Sequence, residues 1–218
     1  MPKTESNQIR ESDRIEAELR HLILTLELEP GLAVSEAALM KQYGWGRTPL
    51  REAFQRLAEQ MLLQIIPHHG VVVMPLSVFD FIEVMDAMGL VIGSAAELAC
   101  RNLGNEQLSE LDVLVEQGEK ASGAGDFVRV AEVDYEFHRV LAEATANRYL
   151  REYLIHLHRV ATRFNFAAWK RDRNVRPSLA EHRQLAGLFR ARDGAGASRA
   201  MREHVENARQ RLMGSINK

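Results

Sequence analysis

The sequence is poor in cysteine and in long apolar runs, and each scarcity excludes a class of protein. Cys100 is the single cysteine of the 218 residues, so the chain cannot close an internal disulfide, and its setting in AAELACRN predicts a buried helical position. No apolar run approaches the roughly 20 residues that a membrane-spanning helix needs, and the segment MPKTESNQIRESDR lacks the apolar core of a signal peptide. We therefore expect a cytoplasmic protein that contacts no membrane.

An excess of charge of one sign is also missing. Lysine and arginine together number 28 against 30 aspartates and glutamates, a formal net charge of −2. Proteins that coat nucleic acid indiscriminately neutralise many phosphates, so this charge excludes that class but leaves a specific DNA reader open. Positive charge is concentrated between residues 41 and 57, where a single acidic residue faces four basic ones: Lys41, Arg47, Arg51 and Arg56.

Residues 10–76 read as three helices followed by a β-hairpin. Apolar residues recur at helical spacing in DRIEAELRHLILTLEL, after the capping residue Ser35, and in GRTPLREAFQRL. The runs LLQII and VVVM, joined by PHHG, predict a hairpin in which Gly70 is free to adopt a positive φ. Three helices and a two-stranded ribbon form the pattern of a winged helix-turn-helix domain.

The helix in GRTPLREAFQRL has two different faces. One face carries an apolar stripe, and Pro49 falls in the first turn whether the cap is Gly46 or Thr48. In a winged helix-turn-helix domain the last helix enters the major groove, and the wing reaches the neighbouring backbone or minor groove. We therefore predict that double-stranded DNA is contacted by the polar face of this helix, the preceding cap and the wing: Arg47, Thr48, Arg51, Gln55, Ser35, His69 and Gly70.

Residues 77–218 contain only helical patterns. The turns GNEQ, SGAGD and RDGAGA help to separate six segments: 79–102, 105–122, 126–145, 147–170, 177–192 and 195–215. Six helices of this length predict an all-α bundle with room for a central cavity. The expected fold is thus mainly α, with a flexible tail at residues 1–9, a winged helix-turn-helix domain and a helical bundle.

Four polar residues interrupt the apolar stripes of this bundle. Asp134 and His138 are four residues apart and face the same point, while His182 and His204 share faces with apolar residues of their own helices. A carboxylate buried without a partner is costly, although an Asp–His pair can bond to itself and a single histidine on such a face is usually a core residue. One carboxylate and three imidazoles from three helices suit Zn²⁺, Ni²⁺, Mn²⁺ or Fe²⁺, with coordination positions left open.

The other acidic and imidazole groups near these positions are not expected to be ligands. Glu181 and Glu203 precede His182 and His204, so they point elsewhere and are either solvated or support the ligands from outside. The remaining histidines lie in the first helix, in the wing or on differing faces of one bundle helix: His21, His68, His69, His156 and His158.

The chain resembles GntR-family transcriptional regulators of the FadR type, whose C-terminal part is the ligand-sensing FCD domain. The resemblance runs from about residue 10 to 215 and is carried by EPGLAVSEAAL, GRTPLREAFQRL, PHHGVVV, DYEFHRVLAEATANRYL and EHRQLAGLFRARDGAGASRAMREHV. It implies a dimer whose effector is an organic acid or a sugar acid. It further implies DNA contacts at Arg47, Thr48 and Arg51, a wing tip at Gly70, and metal ligands at Asp134, His138, His182 and His204.

The expected effector pocket departs from that pattern. Relatives often carry arginine and glutamate where this chain has Met88 and Ile92, so another group must meet an anionic effector. The helix 147–170 supplies the candidates Arg163, Arg159 and Asn165, with Met88 making that end of the pocket apolar. We expect a monocarboxylate with an apolar portion rather than a highly hydroxylated sugar acid.

We interpret the chain as a DNA-binding transcriptional regulator and not as an enzyme. It is expected to act as a homodimer on a palindromic operator, as a repressor, and to respond to a small carboxylate. Two alternatives stay open: a metal-dependent hydrolase that uses the Asp/His₃ site, and a DNA-binding regulator whose metal is purely structural. The sequence lacks an HExxH motif, which weighs against the hydrolase.

Overall fold

The computed structural model of the protein describes residues 10–67, 70–173 and 175–216. The chain divides into two compact units, of which the first ends at Pro75 and the second begins at Leu76. Within the described ranges, no helix is long and apolar enough to span a membrane.

The described part of the first unit contains three helices and a small antiparallel sheet. The helices are α1 (Glu11–Leu24), α2 (Glu36–Tyr43) and α3 (Arg47–Glu59). The strands are β1 (Ala33–Val34), β2 (Leu63–Ile66) and β3 (Gly70–Val73), in the order β1-β3-β2. The expected winged helix-turn-helix fold is confirmed. Strand β1 was not expected, because two residues are too few for an alternating pattern to be recognised.

The ends of α2 and the start of α3 follow from local sequence. Ser35 caps α2 by accepting a hydrogen bond from the backbone N–H of Ala38 at 3.3 Å, and Gly44 ends the helix with a φ of 72°. Gly46 is the cap of α3, which decides between the two caps that the sequence allowed. Trp45 is buried between the two helices and stacks on Tyr43 with ring centroids 4.5 Å apart.

The second unit is an all-α bundle, as expected, and its described helices begin and end within two residues of the sequence-based segments. They are α4 (Val78–Asn102), α5 (Asn105–Ala124), α6 (Phe127–Ala144), α7 (Arg148–Asp172), α8 (Arg176–Arg190) and α9 (Gly194–Ile216). Helix α4 packs along α9, α6 lies between α5 and α7, and α8 contacts α5 and α9. Cys100 is buried in α4, as its sequence setting predicted.

Close contacts at Gly118 bring α5 against both α6 and α8, the helices that carry Asp134, His138 and His182. A Cβ atom at Gly118 of α5 would lie 2.8 Å from Cδ2 of Leu179 in α8 and 3.5 Å from Cγ1 of Val133 in α6. Glycine therefore permits a helix separation that a larger residue would widen.

Candidate DNA-binding face and buried histidine cluster

The two faces of α3 have opposite environments. Leu50, Ala53, Phe54 and Leu57 are buried in the core of the first unit. The four α3 residues expected to contact DNA are all exposed to solvent: Arg47, Thr48, Arg51 and Gln55. Exposure follows from the helical period, because side chains that do not share the apolar stripe turn outward.

The other residues expected to contact DNA lie outside α3. Ser35 is exposed at the start of α2, and Gly70 is exposed at the start of β3 with a φ of 100°. A side chain at that φ is strained, which explains glycine at this position of the wing. His69 lies outside the described residues. The DNA contacts of all seven residues stay predictions.

Arg51 and Arg56 both extend from α3, but their guanidinium groups have different surroundings. The Nε atom of Arg51 donates to both carboxylate oxygens of Glu36 at 3.0 and 3.1 Å, and the side chain remains 60% exposed. Arg56 instead turns to α1 and donates to Asp13 and Glu16. Hydrogen bonding to Arg56 lowers the pKa of Asp13. Arg51 therefore belongs to the solvent face, and Arg56 belongs to the α1–α3 contact.

Three histidines from α6, α8 and α9 meet in the interior of the bundle. His138, His182 and His204 are each buried, and each offers one ring nitrogen within 4.8 Å of the others. Asp134 lies one turn before His138, is also buried, and places Oδ1 3.6 Å from Nε2 of His182. The structure thus brings together all four residues that the sequence singled out, with the carboxylate beside His182.

Two buried ring nitrogens of this cluster have no hydrogen-bond partner among the described residues: Nδ1 of His138 and Nε2 of His182. Leaving such groups unsatisfied costs free energy, so buried polar atoms normally have a partner. Three imidazoles and a nearby carboxylate are a donor set that divalent transition metals bind. The residues present therefore fit a divalent metal ion, which His138, His182 and His204 would hold with Asp134.

Burial sets the protonation of the cluster. It lowers the pKa of His138 and His182 well below the usual histidine value, with neighbouring histidines adding to the effect. It also raises the pKa of the Asp134 carboxyl to about 7. Neutral imidazoles can coordinate a metal, and a nearby cation would restore the ionised form of Asp134.

His158 is a further buried histidine, and its ring stacks on that of His138 with centroids 4.1 Å apart. Burial lowers the pKa of His158 to about 3. Among the described residues, the group of mutually close ring nitrogens consists of those of His138, His182 and His204, and it does not include His158. Because His158 stacks on the face of the His138 ring rather than approaching its nitrogens, we interpret His158 as a packing partner of His138.

The residues expected to contact an effector are spread over several environments. Arg163 is buried in α7, where burial lowers its pKa to about 10, and Met88 is buried in α4. Arg159 donates from Nε to the hydroxyl of Tyr135 at 3.2 Å. Asn165 lines a cavity of about 440 Å³ between α7, α8 and α9. The effector role of these four residues stays a prediction.

Arg211, which no sequence pattern singled out, lines the same cavity as Asn165. Its neighbours in α9, Ala208 and Leu212, lie on the apolar face that His204 shares. The spacing did not predict a site role for Arg211, because charged residues on a helix are usually solvated. The polar and apolar side chains that surround the cavity include Trp169 and Ser178.

A winged helix-turn-helix unit followed by an all-α bundle with a buried histidine cluster is the arrangement of a transcriptional regulator with a DNA-binding domain and a second, helical domain. Residues 11–73 match the bacterial regulatory proteins of the gntR family, and residues 83–207 match the FCD domain. The chain therefore belongs to the GntR family of regulators with an FCD domain.

Individual relatives agree with this assignment. An HTH-type transcriptional regulator from an unstable DNA locus of Streptomyces ambofaciens is 32% identical over 86% of this chain and 78% of its own. The HTH-type transcriptional repressor RspR of Escherichia coli is 24% identical over 86% of this chain and 82% of its own. The structure of E. coli McbR/YncC has the same fold, with a TM-score of 0.83 at 22% identity, covering 96% of this chain and 100% of that one.

Proposed function

We propose that this regulator is a repressor whose operator binding is controlled by a small carboxylate and a divalent metal in the FCD domain. The buried histidine cluster carries the proposal, because two of its ring nitrogens lack a hydrogen-bond partner in the described part of the chain. The similarity to RspR, which is named a repressor, supports the direction of regulation. A metal bound there would fix the arrangement of α6, α8 and α9, the helices from which the histidines extend.

We place the effector in the cavity of about 440 Å³ between α7, α8 and α9. Sites for small molecules commonly measure about 300–1,000 Å³ and combine apolar walls with a few polar groups. Asn165, Ser178 and Arg211 supply polar contacts here, and Trp169 and Leu212 supply apolar surface. This lining supports a carboxylate with an apolar portion. A coupling free energy of about 1–3 kcal/mol between effector and DNA would suffice for switching.

We further propose that the protein acts as a homodimer in the cytoplasm, where its operator DNA lies. Phe79 and Leu90 of α4 leave 79% and 85% of their surface exposed. They are three helical turns apart and lie on one face, so pairing of this face with a second copy would remove apolar surface from water. A dimer presents two recognition helices, and a palindromic operator is expected from selection of bound DNA out of a random pool.

The DNA-binding assignment is tested by removing one positive charge from each side of α3. Arg51→Ala is expected to weaken binding to the selected operator by about 5–150-fold, because a groove-facing arginine commonly contributes about 1–3 kcal/mol. Arg56→Ala removes the same charge from the same helix but from the α1–α3 contact, so operator affinity should be retained. Titration of labelled operator at constant salt measures both.

Equal losses in Arg51→Ala and Arg56→Ala would contradict the assigned face, because they would reflect net charge alone.

The effector proposal has a separate test in calorimetric titration of metal-loaded protein with monocarboxylates and with sugar acids. A regulator gains thermal stability from a ligand that it does not consume, whereas a hydrolase would convert the ligand. An operator affinity that no tested ligand changes would contradict the effector proposal and leave the metal a purely structural role.

A further inference from the structure

Glu181 and His182 are adjacent in α8, but their side chains are not partners of each other. The Oε2 atom of Glu181 lies 2.6 Å from Nδ1 of His204, which extends from α9. The hydrogen bond therefore joins the two helices whose histidines form part of the cluster. Glu203, which precedes His204 in the same way, is exposed to solvent.

The carboxylate of Glu181 is held by two further residues of α9. Oε1 accepts hydrogen bonds from Nδ2 of Asn207 at 3.0 Å and from Nη1 of Arg211 at 2.7 Å, and Oε2 accepts from Nη2 of Arg211 at 3.0 Å. With its side chain only 18% exposed, Glu181 is fixed by a bidentate arginine and an amide. Such a carboxylate has little rotational freedom left.

An ionised carboxylate accepts hydrogen bonds and cannot donate one. Both oxygens of Glu181 already accept hydrogen bonds from Arg211, so the carboxylate is the acceptor towards His204 as well. Nδ1 of His204 must then carry the proton of that hydrogen bond, and Nε2 is the ring nitrogen left for the cluster. A carboxylate bonded to the outer nitrogen of a metal-binding histidine fixes the tautomer and the orientation of the ring.

We propose that Glu181 is the positioning residue of the metal site, and that Arg211 keeps it in place from the wall of the effector cavity. The inference rests on the proposed metal-binding role of His138, His182 and His204. Glu181 then connects the metal site to the effector cavity, because its carboxylate bonds to His204 of the cluster and to Arg211 of the cavity wall.

The first test uses zinc alone with metal-free full-length protein. Glu181→Gln is expected to weaken zinc affinity by about 10–100-fold, the range found when the outer partner of a metal-binding histidine is removed. The matched control is Glu203→Gln, which removes the same charge from the equivalent sequence position and should change the affinity by less than about threefold. Competition with a chelating dye at constant pH measures both variants.

The second test separates positioning from the through-space attraction between a carboxylate and a cation. Removing a positive charge in Arg211→Gln would tighten zinc binding if charge alone mattered. Positioning predicts weaker zinc binding, because Glu181 loses two of the hydrogen bonds that hold it.

Imidazole ¹⁵N spectra of metal-free protein provide the third test. His204 should show the Nδ1–H tautomer in the wild type and a mixture of tautomers in Glu181→Gln.

Unchanged zinc affinity and an unchanged His204 tautomer in Glu181→Gln would overturn the proposal. Equal losses in Glu181→Gln and Glu203→Gln, or tighter binding in Arg211→Gln, would also overturn it in favour of a charge effect. If the wild type binds no zinc, the proposed metal site fails, whereas the tautomer of His204 in the metal-free protein still tests the role of Glu181.

Discussion

His138→Phe is expected to lower the affinity for zinc by more than about 100-fold, while His158→Phe lowers it by less than about threefold. The two imidazoles stack 4.1 Å apart and are both buried, so phenylalanine replaces a ring by a ring in nearly the same surroundings. His138 belongs to the group of three mutually close ring nitrogens, and His158 does not. The difference between the variants therefore isolates coordination from packing.

Zinc titration of the metal-free variants measures this difference, and their thermal unfolding without metal shows whether both have folded. Zinc should raise the unfolding temperature of wild type and His158→Phe, because a metal that binds the folded state stabilises it. It should leave that of His138→Phe unchanged. Wild-type zinc affinity in both variants would show that the cluster is a polar core network without a metal.

Metal-free protein is expected to lose about 2–3 kcal/mol of unfolding free energy per pH unit as the pH falls through the region between 6 and 5. His138, His158 and His182 have lowered pKa values in the folded chain, because burial opposes their charge. Below pH 6.5 these three imidazoles bind about three protons in the unfolded chain and remain unprotonated in the folded chain. Acid therefore favours the unfolded state.

Asp134 acts in the opposite direction over part of the same range. Its folded pKa is raised from 3.8 to about 7, so the folded chain retains a proton that the unfolded chain has released. The net difference is about two protons, each contributing about 1.4 kcal/mol per pH unit. Glu181, whose pKa is lowered from 4.5 to about 2, loses its contribution only at more acidic pH.

Urea unfolding in the presence of a chelator, at pH values between 7 and 5, measures this slope. His158→Phe removes one of the three imidazoles, and its slope should be smaller by about 1.4 kcal/mol per pH unit. His156→Phe should reduce the slope by a smaller amount, since His156 is a partly exposed histidine of the same helix whose pKa burial lowers less strongly than that of His158. A stability that does not change with pH would mean that the buried imidazoles become protonated without unfolding.

Much of the fold was predictable because it is encoded over short distances along the chain. Apolar residues at a period of 3.6 and end signals such as Ser35 and Gly44 act within one or two turns, so helix bounds came out within a few residues. Strand β1 could not be predicted, since Ala33 and Val34 are ordered by pairing with Val72 and Val71, almost 40 residues away.

The sequence by itself determined that four polar side chains enter the core of the bundle. Asp134, His138, His182 and His204 lie on apolar stripes, and a stripe must be buried wherever the helix packs. It also determined the exposed polar face of α3. These features depend only on the direction of a side chain around its own helix axis, which residue spacing specifies.

Only the tertiary structure decided which side chains became partners. Glu181 bonds to His204, 23 residues away, rather than serving its neighbour His182, and Arg51 bonds to Glu36, 15 residues away. The lining of the cavity by Arg211 and the burial of Arg163 were decided in the same way. Such choices depend on how far helices are rotated and shifted against each other, and that is set by packing of the whole core, which residue spacing within one helix does not encode.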